Sequence, residues 1–76
     1  MIDAVQVRMA RAGANLSVRK LAELSGVADS TILRFETGKG AILATNMARI
    51  QRALEETGIM FISADASGGS GVRLNS

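Results

Sequence analysis

Side chains able to do chemistry are few in this chain, and those present are largely of one kind. Nine cations (Arg8, Arg11, Arg19, Lys20, Arg34, Lys39, Arg49, Arg52 and Arg73) stand against seven carboxylates, with no histidine and no cysteine in 76 residues. Lack of histidine removes the usual general base and the commonest zinc ligand. Lack of cysteine removes disulfides, thiolate metal sites and thiol nucleophiles. The carboxylates form no recognisable pair for acid–base work, so no catalytic centre, metal site or cofactor is expected. Gly68, Gly69 and Gly71 lack the following helix and lysine of a phosphate-binding loop, and read instead as part of a hairpin connection. What remains is cationic. A net charge of +2 and a pI near 9.9 favour an anionic partner, provided the fold gathers the arginines onto one face.

The elements that must position these cations are short. Seventy-six residues make one domain, and a domain of that size buries only about 60% of its unfolded surface, so an oligomer would help it. A first helix is predicted over residues 3–12 with Asp3 as its cap. Val7, Ala10 and Ala14 form one candidate buried row; Ile2, Val5, Met9 and Ala12 form a second, read either as more core or as a surface for a partner. Gly13, Ala14 and Asn15 break this helix. Ser17 caps the next, which runs to about Ser25, without a capping box because Lys20 stands at the third position.

Residues 18–37, VRKLAELSGVADSTILRFET, then read as two short helices about a tight turn. Ala22 is small where the helices cross, and Gly26 supplies a left-handed turn. Ile32 and Phe35 face the core, with Leu21, Leu24 and Val27 as the other apolar positions. The second of these helices starts near Ala28 or Asp29 and stops at Gly38, a C′ glycine. Lys39, Gly40 and Ala41 read as a mobile loop. A fourth helix is expected over residues 45–58, with Met47, Ile50 and Leu54 on one side. Residues 59–62 and 72–74 read as strands of a hairpin whose long connection, residues 64–71, is rich in glycine and serine and reads as flexible. A lone hairpin is marginal in water, so it should pack on a helix or pair with another chain; pairing between subunits is the preferred reading.

The segments QVRMAR (6–11), SVRKLAELSGVADSTILRFETG (17–38), ALEETGIMFI (53–62) and GVRL (71–74) resemble the XRE, or lambda-repressor and Cro-like, family of helix-turn-helix regulators, especially its small bacterial members. The resemblance covers most of the chain. It implies a mainly α fold: a compact four-helix lambda-repressor-like helix-turn-helix domain, residues 1–58 with the motif at 17–38, followed by a short C-terminal β-hairpin. That hairpin, residues 59–76, is expected to be a dimerisation extension of the same domain. Carried over by position, the third helix would enter the major groove with Ala28, Asp29, Ser30, Arg34 and Thr37 toward DNA. Arg34 is the candidate for direct readout of guanine, and Asp29 either accepts from a cytosine amino group or caps the helix. Ser30 and Thr31 would meet a phosphate or a base edge, and Ser17, Arg19 and Lys39 would contact phosphates. Two positions depart from the pattern. Val18 stands where many relatives carry a glutamine that braces the recognition helix, and the acidic Asp29 stands where they often carry a basic or amide residue.

The expected function is a sequence-specific transcription regulator, not an enzyme, acting as a homodimer on a palindromic operator of double-stranded DNA. The alternative is a protein-binding module, antiactivator-like or antitoxin-like, that kept the fold. With no apolar run long enough for a membrane span and no signal-peptide layout, a cytoplasmic protein is expected.

Overall fold

The computed structural model describes residues 2–74; Met1, Asn75 and Ser76, which close the two expected segments, lie outside the described residues. Four helices, α1 (Ala4–Gly13), α2 (Val18–Ser25), α3 (Asp29–Glu36) and α4 (Ala44–Glu56), precede strands β1 (Ile59–Ile62) and β2 (Gly71–Leu74). The strands pair antiparallel, with Ile59 opposite Leu74 and Ile62 opposite Gly71. One apolar cluster joins the elements through Val7 and Ala10 of α1, Leu21 of α2, Ile32 of α3, Met47, Ile50 and Leu54 of α4, and Ile59 of β1. No helix among the described residues is long and apolar enough to cross a membrane.

Local chemistry sets most of the boundaries. Asp3 caps α1 in a complete capping box: its Oδ1 accepts from the Gln6 N–H at 2.8 Å, and the Asp3 N–H donates to Gln6 Oε1 at 2.9 Å. The other end closes in a Schellman motif, in which Leu16 N–H donates to the Arg11 carbonyl and Asn15 N–H to that of Ala12. The left-handed residue there is Asn15, at φ 57°, and not Gly13. Gly13 is the last helical residue, and its bare Cα serves packing. A Cβ at that position would lie 3.0 Å from Leu74 Cδ2, so glycine lets β2 close on α1. Between α2 and α3 Gly26 takes φ 74°, as a left-handed turn requires. Helix α4 begins at Ala44, one residue earlier than expected, behind Leu43, which offers no side-chain cap.

Three sequence expectations are corrected. Leu24 is 48% exposed rather than buried, because the inward arc of α2 is Val18, Leu21, Ala22 and Ser25 at helical spacing, and Leu24 falls outside it. The second apolar row of α1 does not exist as a unit: Ile2 joins the core ahead of the helix, Met9 is half-buried, and Val5 and Ala12 are exposed. The second inward position belongs to Gln6, a polar side chain only 2% exposed. The hairpin connection, read as a flexible run, contains a tight turn. Asp65 and Gly68 exchange backbone hydrogen bonds, and Asp65 Oδ1 accepts from both the N–H and the hydroxyl of Ser67. These bonds, the hydroxyl's first, hold the Asp65 carboxyl below its ordinary pKa.

Gln6 explains how the hairpin is held. Its Nε2 donates to the carbonyls of Ile62 at 2.9 Å and Gly71 at 3.0 Å, the pair that closes the loop end of the ladder. Ser70 Oγ adds a bond of 2.8 Å to Asp3 Oδ2. Every polar atom of the Gln6 amide is therefore engaged, as burial demands. The Gln6 N–H first, and the Ser70 hydroxyl second, hold the Asp3 carboxyl below its ordinary pKa.

Candidate nucleic-acid interface

Helix α3 is fixed to the domain along one side. Ile32 is fully buried, Phe35 packs on the core, and Glu36 is only 3% exposed. Burying a carboxylate requires a partner, and Arg11 of α1 supplies one in a bidentate pair. Arg11 Nε donates to Oε2 at 2.9 Å and Nη2 to Oε1 at 2.8 Å, while Nη1 donates to the Leu16 carbonyl. Hydrogen bonding to Glu36 raises the Arg11 pKa above its ordinary value. Two turns of helix are thus tied at both the apolar and the ionic position, which sets the direction in which the opposite side points.

That opposite side is Ser30, Leu33, Arg34 and Thr37, all exposed, with Asp29, exposed at the helix start, at its border. Of the residues singled out from sequence, α3 brings Ser30, Arg34 and Thr37 onto this one arc, with Asp29 at its border. Thr31 lies outside the arc, half-buried. Ala28 is the exposed N-cap, with no side-chain cap bond to offer. Asp29 is the first helical residue, and its Oδ1 accepts from the Ser30 N–H at 2.8 Å. The carboxylate therefore occupies one of the free N–H groups at the positive end of the helix. Thr37 turns its hydroxyl back to donate to the Leu33 and Arg34 carbonyls. At the far end Lys39 N–H donates to the Arg34 carbonyl and Gly38 N–H to that of Phe35, a second Schellman closure with Gly38 at φ 72°. The loop read as mobile thus begins inside a hydrogen-bonded helix stop.

Arg34 reaches across this stop. A Cβ on Gly40 would sit 2.9 Å from Arg34 Nη2, so the guanidinium lies against bare backbone. Ser17 caps α2, accepting from the Lys20 N–H at 3.0 Å, and Arg19 is exposed on the same first turn. Among the described residues Arg11–Glu36 is the sole ion pair, so Arg19, Arg34 and Lys39 keep guanidinium and ammonium groups free for an outside anion. Sequence reasoning missed Leu33, Gln6 and the Arg11–Glu36 pair. The Asp3-x-x-Gln6 spacing is a readable capping signal for Gln6, whereas residues 11 and 36 are linked only by the tertiary fold.

A family model described as helix-turn-helix matches residues 7–59, which takes in every helix from the middle of α1 to the start of β1. No curated protein gives a significant match.

Proposed function

Because the chain belongs to the XRE, lambda-repressor-like helix-turn-helix family of DNA-binding regulators, we propose that it is a cytoplasmic, sequence-specific transcription regulator that places α3 in the major groove. The observation that carries this reading is the division of α3: one side locked by Ile32 and Glu36, the other an exposed arc whose Arg34 has no carboxylate partner among the described residues. Guanidinium matches the O6 and N7 acceptors of guanine in a bidentate contact. Ser30 supplies a further polar contact, and Ser17, Arg19 and Lys39 meet phosphates and set register. A homodimer would place two such helices about 34 Å apart on a two-fold operator. The hairpin with α4 is the proposed dimer surface, since Met60 is an exposed apolar residue on a strand whose outer edge has no third strand among the described residues.

Fluorescence anisotropy with labelled DNA from upstream of the protein's own gene tests the reading, at about 50 and 200 mM salt and beside random DNA. Tight binding that prefers this promoter, falls with salt and weakens in Arg34→Ala is expected. Equal weak binding to all DNA, unchanged in Arg34→Ala, would sink it. Deleting residues 58–76 is expected to abolish dimerisation, but the deletion also removes Ile59 from the core. Met60→Glu is the cleaner variant, expected to run as a folded monomer in sedimentation equilibrium; an undiminished dimer mass refutes that surface.

The acidic Asp29, Val18 and the exposed Leu33 favour a second reading, a protein-binding module of antiactivator or antitoxin type. Its binding would lack the steep salt dependence of phosphate neutralisation.

A further inference from the structure

Leu33 stands on the exposed side of α3. Asp29 and Thr37 lie four residues to either side, and Ser30 and Arg34 share its exposed side. Its side chain is 54% exposed and takes no part in the core, although its neighbour Ile32 is fully buried. The helix gains its anchorage from Ile32, Phe35 and the Arg11–Glu36 pair, so Leu33 is not needed to hold α3 in place. Leu24 and Leu43, also exposed, lie on α2 and ahead of α4 and do not share this arc. A leucine among the polar outward positions Ser30, Arg34 and Thr37 leaves apolar surface in water with no return within the free protein.

The floor of the major groove offers donors, acceptors and one apolar group, the C5-methyl of thymine. Leucine neither donates nor accepts, so the methyl is the base feature it can favour, just as the neighbouring guanidinium favours guanine. We infer that Leu33 is a specificity-determining residue that packs on a thymine methyl, and that each half-site sets this thymine close to the guanine contacted by Arg34. The inference rests on the reading of α3 as the groove helix and adds the identity of a second base.

The test selects duplexes from a randomised library with the full-length protein, then remakes the strongest with uracil at each thymine in turn, which removes only the methyl. At one thymine per half-site, uracil is expected to weaken binding about fourfold, the worth of one buried methyl-sized group. Leu33→Ala should bind the thymine and uracil duplexes equally there, while keeping its preference for the guanine. Because Leu33 is exposed, that variant should retain the circular dichroism and melting of the parent. A selected duplex whose thymines all tolerate uracil, or a Leu33→Ala variant with an undiminished uracil penalty, overturns the inference and leaves the DNA-regulator reading standing. Failure of any duplex to enrich overturns both.

Discussion

Two polar regions of this small domain are built on opposite plans. At the seam between α1 and the hairpin, Asp3, Gln6 and Ser70 spend their side-chain groups on one another and on the carbonyls of Ile62 and Gly71. Along the outward arc of α3, Arg34 has no carboxylate partner among the described residues, and Asp29 and Thr37 reach only their own helix. The seam holds the domain together, whereas the arc contributes little to its stability and keeps its groups available. Residue type does not separate the two, since both contain an aspartate and a serine. The difference lies in whether each polar atom finds its partner inside the chain.

Variants should break this contrast in a graded way. Arg11→Ala is expected to cost the most, about 3 kcal/mol in urea melts, because it strands the Glu36 carboxylate in the core. Replacing both partners with leucine or methionine should cost far less than the sum of the single changes, which a double-mutant cycle would read. Gln6→Ala comes next, at about 1–3 kcal/mol, since it leaves two carbonyls and the Asp3 N–H without their partner; affinity for DNA, measured on the folded fraction, should be preserved. Arg34→Ala reverses that signature, with stability within about 0.5 kcal/mol of the parent and affinity for the preferred duplex down at least about tenfold. A large stability loss in Arg34→Ala would erase the distinction between the regions.

The smallest effect is expected at Asp3. Its folded pKa lies below the ordinary value of 3.8, so around that pH the folded state binds fewer protons than the unfolded state. Its contribution is complete above the unfolded pKa and is lost as pH falls through the folded one. Acid titration of stability should therefore be slightly flatter in Asp3→Asn, which keeps a competent cap at neutral pH. An unchanged acid limb would detach the carboxylate from the seam's energetics.

The helices, the Gly26 and Gly38 stops and the hairpin were legible in sequence because each rests on a local rule of spacing or backbone conformation. The arc of α3 was legible for the same reason: once Ile32 is turned inward, helical spacing turns Ser30 and Arg34 outward. Leu24 misled because it is apolar in an apolar segment, and only the packing of α2 shows which arc turns inward. Leu33 was missed for the converse reason, an apolar residue at a position where polar ones were sought. Gln6 carried a local capping signal, but its bonds to residues 62 and 71 and the choice of Glu36 as partner for Arg11 depend on how distant segments meet.

The reach of the seam along the chain also governs the order of assembly. Gln6 and Gly71 are 65 positions apart, and Asp3 and Ser70 are 67 apart, so these bonds must await nearly complete loop closure. Helix α2 meets both α3 and α4 across shorter separations, so these three can organise early. During synthesis α1 has no completed berth until the hairpin has left the ribosome. The seam is then expected to form last, so damage at Gln6 should fall in the unfolding limb of a chevron, with the folding limb almost untouched.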